Sequence, residues 1–389
     1  MEVALALYFE RVNPVFPVFV GTTIPNPVEE DPLLLALCSV GALFINSERA
    51  FNHSLKLFEQ VCKLLVEGWS PTVQLLQAAV VTQAYNLLAG KQKDRELEKF
   101  LHDKLAAWAQ QSSIPSENTT GQSNLRCLIY IQEGEMNMDS CRHGCGNNLL
   151  PNNAFTFDDE GQFWLQAYAS LEKLCSEVHG NRRETASISR NIIQELINWY
   201  KARQVQLTKT PDPFCSTILF HSLFISIFSD IELLEKAVGR DGVETAVLIR
   251  PQAQQWAGSD NSIRSVIHCS IMQKYFELLP IEEEPAIHLP RSLYQAAIVW
   301  YAYVVFKSPV PRPLKSSYDF PELCSLGVNC NSHLRHVDKQ GFLKFISLAK
   351  RLGPWRITRI YETVLSTLAD SLVYGTTCSL DPWGSKIGR

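Results

Sequence analysis

Two short segments contain side chains of the kinds that bind zinc. Cys141, His143 and Cys145 lie close together in the first segment. The second segment has two cysteines and two histidines: Cys324, Cys330, His333 and His336. Neither segment has the paired Cys-x2-4-Cys and His-x3-5-His spacing with which a zinc finger surrounds its metal. Neither cluster alone therefore predicts a metal site, whereas a site that joins the two across the fold remains open.

His221 could take part in acid–base chemistry because of its residue type. It lies in the middle of an apolar run, between Phe220 and Leu223. No serine or cysteine nucleophile can be assigned to it, so the pattern favours a buried histidine satisfied by a neighbouring carbonyl group.

Two acidic runs could supply catalytic carboxylates. Glu282–Glu284 stand between Pro280 and Pro285, which favours solvated charge on a loop. Asp158–Glu160 is the nearest candidate for an acidic motif that faces a cavity, and it also lies in an expected loop. The chain has no G-x-S-x-G elbow, H-E-x-x-H pair, phosphate loop or dinucleotide fingerprint. An all-α enzyme whose carboxylates converge from distant positions is the alternative function.

Basic residues near the C-terminus form a possible partner surface. They are Lys344, Lys350, Arg351, Arg356 and Arg359. They are predicted on or near the polar sides of two helices, where they could contact DNA phosphates or an acidic partner. The alternative is an ordinary charged surface.

The elements that carry these residues are predicted to be helices. Apolar residues recur at spacings of three and four, as in Phe51, Leu55, Phe58 and Cys62, which is the period of one helical face. Asp31 and Pro32 have the residue types of an N-cap and a first helical position, and Pro14 ends the helix before it. No strand alternation of useful length is present. We predict an all-α fold, an irregular multi-helix array with long inserted loops.

Breaks in the helical pattern divide the chain into four predicted parts. An N-terminal helical part covers residues 1–110, and a loop-rich connector covers 111–160. A second helical part covers 161–306, and a proline-rich connector with C-terminal helices covers 307–389.

Composition limits the function classes. The chain has 389 residues, is 46% hydrophobic and has a net charge of −4, so it lacks the electrostatic character of a free-standing nucleic-acid binder. Its eleven scattered cysteines predict reduced thiols in a nuclear or cytosolic protein. The apolar runs Leu33–Ile45 and Phe214–Phe228 fall short of the about 20 residues that span a bilayer, so no membrane is expected.

Several segments together resemble the fungal-specific transcription factor domain, in its Cys2His2-finger branch. The first two are Tyr8-Phe-x4-Pro-x-Phe-Pro and Pro32-Leu-Leu-Leu-Ala-x-Cys-x2-Gly-Ala-Leu; the others are Phe51-x2-Ser-Leu-x-Leu-Phe, Gln74-Leu-Leu-Gln-Ala-Ala-Val-Val, Ile218-Leu-Phe-His-Ser-Leu-Phe and Pro290-Arg-Ser-Leu-Tyr-Gln-Ala-Ala-Ile-Val-Trp-Tyr. The resemblance covers roughly residues 7–305. The chain departs from the family at Asn13, where a histidine is usual, and no finger precedes the domain.

The resemblance implies a regulatory region in the nucleus that acts on transcription through partner or effector binding. Its expected partners are the transcription machinery or co-regulator proteins, with DNA contacted only through a missing finger segment. Zinc is expected only in those fingers, so no cofactor is expected in this chain. A small effector would act by favouring one arrangement of the helices. Aromatic residues could line its pocket, although filling the core is the preferred interpretation: Phe16, Phe19, Trp164, Trp199, Phe220 and Trp300.

Overall fold

The structure is a computed structural model, and it describes residues 1–19, 31–67, 72–89, 95–110, 119–139, 160–180, 186–280, 285–307, 318–352 and 355–374. Within these ranges it contains 17 α-helices and no strand. The all-α prediction is confirmed.

The chain divides into two compact units. Unit 1 comprises Met1–Gly180, Glu284–Ile287 and Pro354–Ile357, and unit 2 comprises Asn181–Glu283, His288–Gly353 and Thr358–Arg389. The main boundary between the units therefore lies between residues 180 and 181.

Seven of the described helices belong to unit 1. They are α1 (Glu2–Leu7), α2 (Pro32–Gly41), α3 (Glu48–Glu67), α4 (Val73–Ala89), α5 (Arg95–Gln110), α6 (Thr119–Asp139) and α7 (Glu160–Gly180). Helix α2 packs on α3 and α4, while α6 packs on α4, α5 and α7.

Helix α2 is the buried centre of the N-terminal part. The Asp31 carboxylate accepts a hydrogen bond of 2.9 Å from the amide of Leu33, and Pro32 is the first helical residue, as predicted. Every residue from Leu33 to Gly41 is buried. A Cβ on Gly41 would collide with the carbonyl oxygen of Ala4, so only glycine permits this approach of α1 to α2.

Asn13, where the sequence departs from the family pattern, organises the turn after the first helix. A π-helical turn over Tyr8–Val12 continues α1 and ends just before Asn13 and Pro14. The Asn13 side chain accepts a hydrogen bond of 3.2 Å from the Phe19 amide and donates one of 3.4 Å to the Phe19 carbonyl. An asparagine can satisfy both backbone groups because its amide is a donor and an acceptor.

Most of the described part of the predicted loop-rich connector is a single helix. Helix α6 occupies Thr119–Asp139, where serine, asparagine, threonine and glycine led us to expect a loop at its beginning and end. Its central residues Leu125 and Cys127 to Ile131 are buried, and that burial outweighs the weak helix propensity of the flanking residues. Residues 111–118 and 140–159 lie outside the described ranges.

Unit 2 contains the other ten described helices. They are α8 (Ala186–Lys209), α9 (Ser216–Phe228), α10 (Ile231–Ala237), α11 (Val243–Ala257), α12 (Asp260–Leu278), α13 (Leu289–Phe306), α14 (Pro321–Ser325), α15 (Cys330–Leu334), α16 (Lys339–Arg351) and α17 (Arg356–Tyr374), whose first two residues belong to unit 1. The prolines of the predicted C-terminal connector, Pro309, Pro311 and Pro313, lie outside the described residues.

Helices α12 and α13 form the centre of unit 2. Helix α12 contacts α9, α11, α13, α15 and α16, and α13 also contacts α9, α10, α11 and α16. Helix α11 was not predicted, and it contains Pro251 in its interior. The sequence gives no clear apolar stripe there. In the structure the apolar residues Val247 and Leu248 are exposed, so they do not mark a buried face.

None of the described helices is by itself long and apolar enough to cross a membrane, whereas α9 and α10 together meet the length and composition criteria despite a bend of 72° between them.

Candidate functional site

A cavity of about 420 Å³ opens on unit 2 and is lined entirely by residues of that unit. Its lining residues are Tyr200, His221, Ile271, Lys274, Tyr275, Leu278, Leu326, Gly327, Val328, Asn329 and His333. We call this the α12 cavity. Its volume falls within the range of about 300–1,000 Å³ that is usual for small-molecule sites.

Helix α12 forms one wall of the cavity. It contributes Ile271, Lys274, Tyr275 and Leu278, a spacing that places four side chains on one helical face. Ile271, Tyr275 and Leu278 follow one another in the sequence at spacings of four and three, the period of one helical face. Toward the solvent the wall becomes open, since Tyr275 is 38% and Leu278 is 78% exposed.

The facing wall is the turn between α14 and α15, residues Leu326–Asn329. Gly327 has a φ of 67°, a left-handed conformation that glycine adopts without steric cost. The Asn329 side-chain oxygen then accepts a hydrogen bond of 3.2 Å from the Ser332 amide and caps α15.

A buried ion pair holds this turn against α12. The guanidinium of Arg264 donates hydrogen bonds of 2.7 and 2.6 Å to the two carboxylate oxygens of Glu322, whose side chain is fully buried. The same guanidinium lies 3.6 Å from the ring centroid of Phe228. A bidentate pair of this kind fixes orientation as well as distance, so α14 has a defined position on α12.

Two histidines form a hydrogen-bonded pair behind the cavity. Nδ1 of His221 lies 2.8 Å from Nδ1 of His268, so one ring donates and the other accepts. Both rings are buried, and His268 stacks on Phe224 at a centroid distance of 4.6 Å. The predicted burial of His221 is correct. Its observed partner is the His268 imidazole, where a carbonyl group was expected, because α12 brings that ring beside α9.

Burial and neighbouring groups keep His221, His333 and Tyr275 of the cavity lining uncharged at neutral pH. Burial, together with the nearby His333, lowers the pKa of His221 to about 3. The pKa of His333 falls to about 4 through burial and the nearby charge of Lys274. Burial and the neighbouring Tyr200 raise the pKa of Tyr275, so its hydroxyl remains a hydrogen-bond donor at neutral pH.

The C-terminal zinc-type cluster does not converge. Nδ1 of His333 is 2.9 Å from the hydroxyl of Ser270, and the Cys330 thiol lies 3.9 Å from the carbonyl of Val328. In the part of the chain that the structure describes, no three or more histidine, cysteine, aspartate or glutamate side chains are grouped to hold a metal ion. Cys141, His143 and Cys145 lie outside the described residues.

The five basic residues do not all belong to one unit. Arg356 lies in unit 1, 3.8 Å from Glu48 and 3.6 Å from the Phe51 ring centroid, and the other four lie in unit 2. Lys344 is 3.5 Å from Glu277, Lys350 is 3.8 Å from Glu362, and Arg351 donates a hydrogen bond of 2.9 Å to the carbonyl of Leu279. Arg359 is exposed on α17.

Of the predicted acidic runs, Glu282–Glu284 and Asp158 and Asp159 lie outside the described residues, and Glu160 begins α7. Buried carboxylates are instead found in α6 and α7 of unit 1. Burial raises the pKa of Glu133 to about 7, and Glu172 is fully buried beside Gly134. The sequence did not single out these residues.

The aromatic residues that we considered as a pocket mostly fill cores. Phe16, Trp164, Trp199, Phe220 and Trp300 are buried, and none of them lines the α12 cavity. The preferred interpretation is therefore correct for these five residues. The residues that do line it, such as Tyr200, Lys274 and Asn329, were missed because each is an ordinary surface-type residue until the fold brings it to the cavity.

Comparison of the chain with models of protein families, with curated proteins and with solved structures gave no match.

Proposed function

We propose that this chain is the regulatory region of a transcription regulator of the fungal type, and that unit 2 binds a small effector in the α12 cavity. The single observation behind the effector site is a cavity in which an apolar surface and several polar side chains converge on one volume. The link to transcription rests on the sequence segments that resemble the fungal-specific transcription factor domain.

The construction of the cavity suits effector sensing. Its lining comes from α8, α9, α12, the turn between α14 and α15, and α15 itself, so residues between positions 200 and 333 meet at one cavity. A ligand that contacts all of them binds one arrangement of these elements best and shifts the population toward it. In the nucleus this shift would change how the region engages the transcription machinery or a co-regulator, with DNA contacted through a finger segment outside this chain.

The enzyme alternative requires carboxylates around a deep cavity. No aspartate or glutamate is present among the described residues that line the α12 cavity. Its polar groups are neutral histidines, tyrosines, an asparagine and one lysine, which suit recognition of a ligand by hydrogen bonds and charge.

A reporter experiment tests the proposed function. The 389-residue chain is fused to a heterologous DNA-binding module in a fungal host, and reporter transcription is compared with that of the module alone. We expect the fusion to change transcription. We expect Val328→Trp to alter the response, because its indole would occupy the cavity that Val328 lines.

The matched control is Ser325→Trp, at an exposed position three residues away that does not line the cavity. It should behave as the unmodified fusion. Reporter output equal to that of the module alone, with the fusion present at normal levels, would exclude the regulatory function. Identical outputs from Val328→Trp and Ser325→Trp would exclude the cavity as the effector site.

A further inference from the structure

We propose that the ligand of the α12 cavity is a small monocarboxylate with a compact apolar body. This inference rests on the proposed function, since it assigns a chemical class to the effector of that same site.

The positive charge of Lys274 favours a ligand with an anionic group. Lys274 is the single formally charged side chain among the described residues of the lining, and no carboxylate opposes it there. Its charge acts inside the site, because it is one of the causes that depress the pKa of His333. A ligand anion next to Lys274 would therefore have a favourable potential and a charge-assisted hydrogen bond.

Neutral donors in the same cavity lining complete the recognition of an anion. The Asn329 amide oxygen already caps α15, which leaves its NH₂ group as a donor for a ligand. The Tyr275 hydroxyl stays protonated because its pKa is raised. Together with Lys274, these groups can donate to the two oxygens of a carboxylate, which only accepts hydrogen bonds when it is ionised.

The rest of the lining selects an apolar body. Ile271, Leu278, Leu326 and Val328 supply aliphatic surface, and Tyr200 and Tyr275 supply aromatic rings. Displacing water from this surface favours a hydrophobic ligand by the area it buries. A volume of about 420 Å³ limits that body to a small molecule.

A single lysine favours a carboxylate over a phosphate. A phosphate monoester carries a charge of about −1.5 to −2 at neutral pH, and its sites usually combine several cations or an arginine cluster. The described lining of the α12 cavity has one lysine and no arginine. One negative charge matches this lining.

Titration calorimetry of the full chain at pH 7.5 tests the ligand class with three probes of the same carbon skeleton. They are 3-phenylpropanoate, 3-phenylpropan-1-ol and 3-phenylpropylamine. We expect the carboxylate to bind about tenfold or more tightly than the alcohol, because it alone gains the charge-assisted hydrogen bond, and the amine to bind most weakly.

Charge reversal at Lys274 tests whether this side chain binds the carboxylate of the ligand. Lys274 is exposed, so Lys274→Glu should fold normally, and its thermal unfolding is measured alongside binding. We expect the variant to lose its affinity for 3-phenylpropanoate and to bind 3-phenylpropylamine more tightly than the carboxylate. Lys209→Glu is the matched control, since Lys209 is exposed on α8 and does not line the cavity.

Each contrary result overturns the ligand class. Equal or tighter binding of the alcohol or the amine by the unmodified chain would do so, as would an unchanged carboxylate affinity in Lys274→Glu. No binding of the carboxylate at millimolar concentration would also overturn it. The reporter comparison of Val328→Trp with Ser325→Trp needs no identified ligand. It can therefore support the proposed function even where calorimetry shows that the ligand is not a monocarboxylate, and the two proposals fail separately.

Discussion

His268 shows how burial defines the chemistry of a single residue in this protein. Its ring is fully buried and stacks on Phe224, and its Nδ1 forms a hydrogen bond with Nδ1 of His221. Its Nε2 has no hydrogen-bond partner among the described residues. Burial and the charge of Arg264, along with the neighbouring histidines, place the pKa of His268 well below its ordinary value. The pair is therefore neutral at neutral pH.

The neutral histidines predict a loss of stability in mild acid. In the unfolded chain they take up protons below a pH of about 6.5, whereas in the folded protein His221 remains neutral down to a pH of about 3. The stabilisation is therefore complete above pH 6.5 and is lost as the pH falls toward the folded pKa. We expect the free energy of unfolding to fall by about 1.4 kcal/mol per pH unit for each such histidine. Urea unfolding between pH 7.5 and 4.5 measures this.

Substitution of one partner tests the origin of that slope. His268→Phe should reduce the slope of the unfolding free energy against pH by the contribution of one proton, about 1.4 kcal/mol per pH unit. At pH 7 it should also lower the free energy of unfolding by about 1–3 kcal/mol, because His221 loses its hydrogen bond. His53 is exposed, so His53→Gln serves as the control and should leave both quantities unchanged. An unaltered slope in His268→Phe would show that His268 is not one of the buried neutral groups.

At the scale of elements, the helical state and the position of α14 depend on its contacts with α12. It has five residues, too few to form a stable helix in isolation. Leu323 packs with Ile263 and Ile267 of α12, and the Glu322 carboxylate is held by Arg264. Because the turn that follows α14 is a wall of the cavity, this ion pair positions the site without lining it.

Glu322→Gln should therefore weaken both the fold and the site. The substitution leaves the Arg264 charge without its carboxylate, and removing one partner of a buried pair typically costs about 3–5 kcal/mol. We expect a clear decrease in the free energy of unfolding and weaker binding of 3-phenylpropanoate. Glu244→Gln, at an exposed position on α11, should change neither. Normal stability and affinity in Glu322→Gln would show that the pair does not anchor α14.

At the scale of the whole molecule, charge decides which partners can bind directly. The net charge is −4, and several cations of the predicted basic surface have acidic neighbours within 4 Å: Lys344, Lys350 and Arg356. Exposed ion pairs of this kind add little stability, but each brings a negative charge close to where a DNA phosphate would bind. The basic residues also belong to two different units.

The chain by itself is consequently expected not to bind DNA. In a mobility-shift series from low to physiological salt on random genomic fragments, no retarded complex should form. The corresponding product extended upstream, if it contains fingers, should bind. Salt-sensitive binding by the 389-residue chain that is weakened in the double variant Lys344→Gln, Arg351→Gln would contradict this expectation and support a DNA-binding role for α16.

The sequence by itself determined the fold class and the most strongly patterned helices, because these depend on local periodicity and on residues such as Asp31 and Pro32. Only tertiary contacts decided α6 and α14, whose helical state depends on burial and on the Glu322 ion pair. The cavity was likewise decided by tertiary structure. Tyr200, Lys274 and Asn329 have no common pattern in the sequence, and the fold alone brings them to one volume, where burial and neighbouring charge give His221 and His333 their altered pKa values.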